Sequence, residues 1–206
     1  MKHVVLAIAG ALLAGVTAAG ASPATAAATH CTGHIGPGVT IAGDVTAGPG
    51  CDLDVVTVTG DVIVEKGGSL STFFSQIDGD VESRRATSVN IGLFTSIDGS
   101  VEIRGSSESA GVFRTVIGGD LVFAKNVGSV QAIDTLVEGS MEVSKNVVTF
   151  GNFSGDTIGG DAEVVKNRGD IEFGNSAITG TLDCHGNNPP VTAYLNTVGS
   201  AQGECA

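Results

Sequence analysis

The residues able to do chemistry in this chain recur at near-constant intervals. Carboxylates follow glycine at Asp44, Asp61, Asp80, Asp120 and Asp161, and a second series stands two positions further on at Glu82, Glu102, Glu142, Glu163 and Asp183. Like charges stacked at about 5 Å repel unless a cation intervenes, and calcium takes carboxylate oxygens as ligands. Asp80, Glu82, Asp98 and Glu102 are therefore the candidate ligands for a divalent cation, with Asp78 and Glu138 deepening the same patch. Three features point instead to a plain solvated surface. Ser100, Ser140 and Thr181 interrupt the aspartate series, Lys66, Lys125, Lys145 and Lys166 stand near enough to compensate, and no contiguous calcium loop is present. The expectation is a protein with no required cofactor.

Sulfur and imidazole are the other reactive groups. Cys31, Cys51, Cys184 and Cys205 lie near His30, His34 and His185, but the short Cys-x-x-Cys or His-x-x-x-His spacing of a zinc site is missing. Paired Asp and Glu are abundant, as any repeat containing both would make them. Sugar clefts favour aromatic platforms, and the chain has one Tyr and no Trp. No Gly-x-Ser-x-Gly elbow or phosphate-cradling loop occurs. Catalysis is not expected, and a β-helical polysaccharide lyase or hydrolase is the enzymatic alternative.

The beginning of the chain reads as an export signal. Met1-Lys2-His3 is basic, Val4 to Gly20 is apolar, and Ala24-Thr25-Ala26 offers small residues to a signal peptidase, with Ala26-Ala27-Ala28 as a second site. Residues 1–26 are assigned to a signal peptide, cleavage falling at 26 or at 28, and 27–206 to one secreted domain, extracellular or cell-wall associated. The apolar run is shorter than the ~20 residues that span hydrocarbon, and no later segment reads as a membrane span. A formal charge of −12 repels phosphate backbones and anionic lipid. Neither nucleic acid nor a membrane surface is an expected partner.

The intervals themselves come from a repeat. Its anchor glycines are Gly43, Gly60, Gly79, Gly99, Gly119, Gly139, Gly160 and Gly180, with gaps of 17, 19, 20, 20, 20, 21 and 20 residues. Around them apolar and polar positions alternate: Ile97, Gly99, Val101 and Ile103 share one face, as do Ile117, Gly119, Leu121 and Phe123. That is a half-buried strand. A second apolar patch, such as Val89 with Ile91 or Ile171 with Phe173, lies about half a coil away, so each coil carries at least two strands. A unit this small cannot bury its own inward face. Stacking coil on coil pairs identical strands in parallel and closes a continuous apolar column. The predicted fold is all-β, a single parallel, right-handed β-solenoid with ~20-residue coils, forming a rod of about 35–40 Å.

Within this frame the cysteines and asparagines gain positions. Four cysteines allow three pairings, and an exported chain favours oxidation. Cys31 to Cys51 and Cys184 to Cys205 are each one coil apart, whereas crossed pairs would span the rod, far beyond the ~7 Å limit between bridged Cα atoms. The predicted disulfides staple the two end coils, with Cys184 in the inward slot of Ile103, Phe123, Val143 and Val164. Asn126, Asn146, Asn167 and Asn187 each lie seven residues beyond an anchor glycine. They are expected to take the left-handed conformation of a turn and to bond one another as a structural ladder.

The Ile-x-Gly-Asp-Val repeats, over roughly 41–182, resemble the bactofilin family of polymer-forming cytoskeletal β-helices, whose apolar ends join rod to rod. The resemblance implies a β-helix and end-to-end assembly. The longer coil, the export signal and the stapled ends depart from it. The closing CHGNNPPVTAYLNTVGSAQGEC resembles the tail of secreted repeat proteins of actinomycete type. MEVSKNVV is similar to part of a leucine-rich repeat, but Glu138 stands where a leucine belongs and the helical half is missing. The expected function is a non-catalytic secreted β-solenoid, an extracellular or cell-envelope interaction module able to hold divalent cations if its acids gather them. A carbohydrate-active enzyme and a self-assembling filament are the alternatives, and the oligomeric state is open.

Overall fold

The computed structural model describes residues 27–206, and the signal peptide assigned to 1–26 lies outside them. Every coil bends at three corners. In one of them Ser96–Ile97 forms a short strand, the chain turns through Gly99, and Val101–Arg104 forms a second strand. Gly105 then takes a left-handed conformation, Ser109–Phe113 forms the third strand, and a left-handed Arg114 leads into Val116–Ile117 of the next coil. Each strand pairs in parallel with its equivalent one coil on, as Val101↔Leu121 and Ile103↔Phe123 do. The third face holds nine strands, from His34–Ile35 to Thr192–Tyr194. At ~4.8 Å per rung that makes a rod of about 38 Å. The other two faces join into one sheet, because Ala177–His185 and Thr197–Gly203 run straight through the corner between them.

The alternating stretch from Ile97 to Ile103 is thus two strands on two faces, where the sequence pattern alone predicts one. Parity hides the corner. Ile97 and Val101 are an even number of residues apart, so both point inward although the chain has turned between them, and both are buried.

The core is a bundle of vertical columns. Ile77, Ile97, Ile117, Val137 and Ile158 line the first face, and Val81, Val101, Leu121 and Met141 the second, all essentially inaccessible. Phe153 and Phe173 stack on the third face with ring centroids 5.8 Å apart, and Phe123 meets Phe153 edge-on at 6.0 Å. The single 21-residue gap has a local cause: between Val127–Ile133 and Val147–Ser154 the register slips, leaving Thr149 without a partner as a bulge.

Disulfides join Cys31 to Cys51 and Cys184 to Cys205, with Cα separations of 5.3 and 5.4 Å. Cys31 and Cys184 belong to the same inward column, which runs through Ala47, Val64, Ser83, Ile103, Phe123, Val143 and Val164. The rung partner of Cys31 is nevertheless Ala47, and that of Cys184 is Gly203. The first coil is short, so a step of 20 residues from Cys31 passes its own column and reaches the third face at Cys51. The bridge therefore ties two faces together at the end of the rod. Closing a loop of this size contributes roughly 3 kcal/mol in the chain-entropy account.

Candidate functional site

The ordered aspartates serve the backbone. At the corner after each anchor glycine, the Asp carboxylate oxygen accepts the N–H of the equivalent residue one coil on: Asp61 donates to Asp44 Oδ1 at 3.0 Å, Asp80 to Asp61 at 2.8 Å and Ser100 to Asp80 at 2.7 Å. Where serine stands in the column its hydroxyl accepts instead: the Asp120 N–H donates to Ser100 Oγ at 3.1 Å and the Asp161 N–H to Ser140 Oγ at 3.2 Å. Ser100 and Ser140 are therefore alternative caps, whereas charge relief is the role the sequence pattern gives them. The same contact explains the glycines. A Cβ on Gly119 would run into Ser100 Oγ and the Gly99 backbone, and one on Gly139 into Asp120 Oδ1.

A second ladder fills the next corner. Asn126 Oδ1 accepts the Ser106 N–H, Asn146 Oδ1 the Asn126 N–H, Asn167 Oδ1 the Asn146 N–H and Asn187 Oδ1 the Asn167 N–H, all at 2.8–3.0 Å. Each amide donates in turn to a carbonyl of the preceding coil, from Ile103 O to Val164 O. Glu204 closes the stack by accepting from the Asn187 backbone and side chain. Burial pulls the Glu204 pKa upward, but bonds from Asn187, Val191 and Gly186 outweigh it and hold the carboxyl below its ordinary range. These asparagines are buried and are not the left-handed residues. That conformation belongs to the residue before each: Lys125 (φ 58), Lys145 (φ 56), Lys166 (φ 55) and Gly186 (φ 67). The expected turn role is corrected by one position. The left-handed residue points its side chain out, and the asparagine turns in to bond the stack.

The third corner carries a ladder that sequence reasoning missed. Its buried column runs through Ser75, Thr95, Thr115, Thr135, Asp156 and Ser176 to a half-buried Asn196. Ser75 Oγ accepts the Val56 N–H at 3.2 Å, Asp156 Oδ1 the Thr135 N–H at 2.9 Å, and Asn196 Oδ1 the Ser176 N–H at 3.0 Å. Asn196 also donates to Phe173 O, as the asparagines of the other ladder do to their carbonyls. The spacing is regular, and Thr95, Thr115 and Thr135 are its one sequence signal; serine, aspartate and asparagine fill the other steps, so no longer motif announces it.

The metal candidates do not come together. Asp80 caps Ser100, Arg104 bonds Glu102, and Arg84 lies 3.8 Å from Glu82 and 3.9 Å from Glu102. Asp98 lies across the turn, one residue before its anchor glycine. Val122 splits the outward glutamate column between Glu102 and Glu142. Among the described residues no three His, Cys, Asp or Glu side chains gather as a metal site.

Charge is segregated instead. Every lysine and arginine of the described residues except Arg114 stands in or beside the asparagine corner, making one basic edge on an acidic rod. Lys66, Lys125, Lys145 and Lys166 do not compensate the acids as the sequence suggests: with Arg85 and Arg168, they have no carboxylate within 4.0 Å among the described residues. Arg84, Arg85, Arg104, Lys125, Gly105 and the single acid Glu102 line a hollow of about 380 Å³ there.

A second surface feature marks the Ser/Thr corner. Phe73 meets Phe74 edge-on at 5.0 Å, and Phe74 stacks on Phe94 at 5.4 Å, with Phe94 62% exposed. Beside them Phe113, Asn90, Arg114 and Asp134 border a hollow of about 400 Å³. No helix of the described residues is long and apolar enough to cross a membrane. Comparison with protein-family models, curated proteins and solved structures finds no match for this chain. A functional reading therefore rests on these surfaces, since a solenoid scaffold by itself specifies no activity.

Proposed function

We propose that this protein is a non-catalytic, exported β-solenoid that works by presenting its outer faces to a partner outside the cell or in the cell wall. One observation carries the reading. The aspartates after the anchor glycines, the ladder asparagines and Asp156, which could have formed a reaction centre, are bonded to the backbone of neighbouring coils, while the outward Glu82 and Glu102 face arginines. Chemistry that the scaffold uses is not available to a substrate. The two disulfides and the leader support an oxidising compartment. The acidic columns enter as scaffold, so this reading calls for no calcium.

The test is retention of purified protein on immobilised envelope polysaccharides, with reducing ends and unsaturated products assayed in the same samples. Retention without product is expected. Release of oligosaccharide would overturn the reading in favour of an enzyme, which the Phe73, Phe74 and Phe94 platform beside Arg114 and Asp134 would then serve as a sugar-stacking surface. Rods that lengthen with concentration in electron micrographs would overturn it in favour of a filament.

A further inference from the structure

We propose that the basic edge is the binding site for a linear anionic polysaccharide lying along the rod axis. Arg84, Arg85, Arg104 and Lys125 grip one anionic group in their hollow, and Lys145 and Lys166 continue the contact on the next two coils. The inference rests on the surface-module reading and names its partner.

The coil has two left-handed corners, and comparing them separates what the backbone needs from what the surface selects. At the Ser/Thr corner the left-handed position holds Val55, Phe74, Phe94, Arg114, Asp134, Gly155, Asn175 and Leu195 in different coils, so the fold tolerates almost any side chain there. At the asparagine corner the equivalent position holds Arg85, Gly105, Lys125, Lys145, Lys166 and Gly186. Every side chain there is a cation. Backbone strain cannot explain that restriction, since glycine removes the strain at Gly105 and Gly186, and the lysines retain it at a cost of about 1 kcal/mol each.

Folding does not explain the cations either. Lys125, Lys145 and Lys166 sit on consecutive rungs at ~4.8 Å, where like charges oppose one another, and no carboxylate lies within 4.0 Å of them among the described residues. Local choices that work against the fold are expected where a surface is used. The hollow adds chemistry to charge. Guanidinium forks match the planar or tetrahedral oxygens of carboxylate, sulfate and phosphate esters.

Shape selects among polyanions. The edge is about one side chain wide, and the adjoining face carries Glu82, Glu102, Glu142 and Glu163 outward, so a broad duplex would press its phosphates onto carboxylates. A single nucleic acid strand gains affinity by stacking bases on aromatics, and the exposed Phe73, Phe74 and Phe94 stand at a different corner. A narrow, extended sugar chain with charges at intervals fits the edge, its pyranose units advancing by about one coil each.

The test measures binding of the purified protein to polygalacturonate and dextran sulfate, with uncharged dextran and oligothymidylate as comparisons. One variant combines Lys125→Gly, Lys145→Gly and Lys166→Gly, and a second carries Arg85→Gly. Glycine already occupies this position at Gly105 and Gly186, so melting temperatures are expected to hold or rise. Binding of the charged polysaccharides should weaken with salt, be absent for dextran, and fall by about tenfold or more in the triple variant. No binding of either polyanion at low salt, undiminished binding by the triple variant, or tighter binding of oligothymidylate would each overturn the proposal. Binding that survives every substitution would sink the basic edge and leave the surface-module reading intact. Shortening of polygalacturonate by the unmodified protein would sink the non-catalytic reading and leave the edge to be judged by its variants.

Discussion

Replacing Asp156 with asparagine should stabilise the protein at neutral pH, by an amount that follows from the ladder it belongs to. Asp156 is 1% exposed, its Oδ1 accepts the Thr135 N–H, and its Oδ2 has no partner. Burial raises its pKa from 3.8 to about 8, opposed by the Thr135 bond and assisted by the nearby Asp134 charge. In the folded protein at pH 7 the group is a neutral acid, whereas the unfolded chain would release that proton. Holding it across about three pH units costs roughly 4 kcal/mol. Asparagine keeps the Oδ1 acceptor and offers its amide to a carbonyl, the arrangement Asn196 has with Phe173 O. Because the folded pKa is raised, the aspartate's contribution is fully present below about pH 4, is lost as pH rises, and is gone above about pH 8. Urea denaturation should therefore find Asp156→Asn equal to the parent at pH 4 and more stable by about 2–4 kcal/mol at pH 7. Between those limits the difference should grow about tenfold in the folding constant per pH unit. A variant less stable at every pH, or a difference indifferent to pH, would refute the neutral-acid argument.

Three further outcomes follow from the same contacts. Asn146→Leu orphans the buried Asn126 N–H and removes the amide's bond to the Phe123 carbonyl, and should cost about 2–4 kcal/mol in urea denaturation. Gly119→Ala pushes a methyl into Ser100 Oγ and the Gly99 backbone and should cost about 2–3 kcal/mol, whereas Gly105→Ala, whose Cβ would meet only Arg85 at 3.5 Å or more, should lose about 1 kcal/mol from its left-handed backbone. Removing Cys184 and Cys205 together should lower stability by about 2–4 kcal/mol, and limited proteolysis should then nick the last coil before any other.

The fold was legible because its most demanding contact is also its most repetitive. Gly119 must be glycine for the oxygen of Ser100 to sit over it, and that requirement recurs from Gly60 to Gly180, so the repeat spells itself. The division between the first and second faces was hidden because Ile97 and Val101 keep the same inward parity across a corner. The Ser/Thr corner was hidden because its residues serve it in different ways: Ser75, Asp156, Ser176 and Asn196 each accept an N–H of the neighbouring coil, whereas Thr115 and Thr135 donate to carbonyls of their own coil, so no single residue type marks the position. The disulfide connectivity could be read from spacing, but not its geometry, since the short first coil carries Cys51 past the column of Cys31. The basic edge was masked by the net charge. Numbering Lys125, Lys145 and Lys166 by their place before each ladder asparagine would have exposed it.

If the periodic polar side chains hold the backbone of the adjacent coil, removing one must release a specific amide. Site-resolved amide exchange on Asp120→Ala tests it most directly, because Ser140 N–H donates to Asp120 Oδ1 at 2.8 Å from 20 residues away. The Ser140 amide, slow in the parent, should exchange near the solvent rate in the variant while Asn126 and Asn146 stay protected. A Ser140 amide that exchanges equally slowly in both proteins would contradict it.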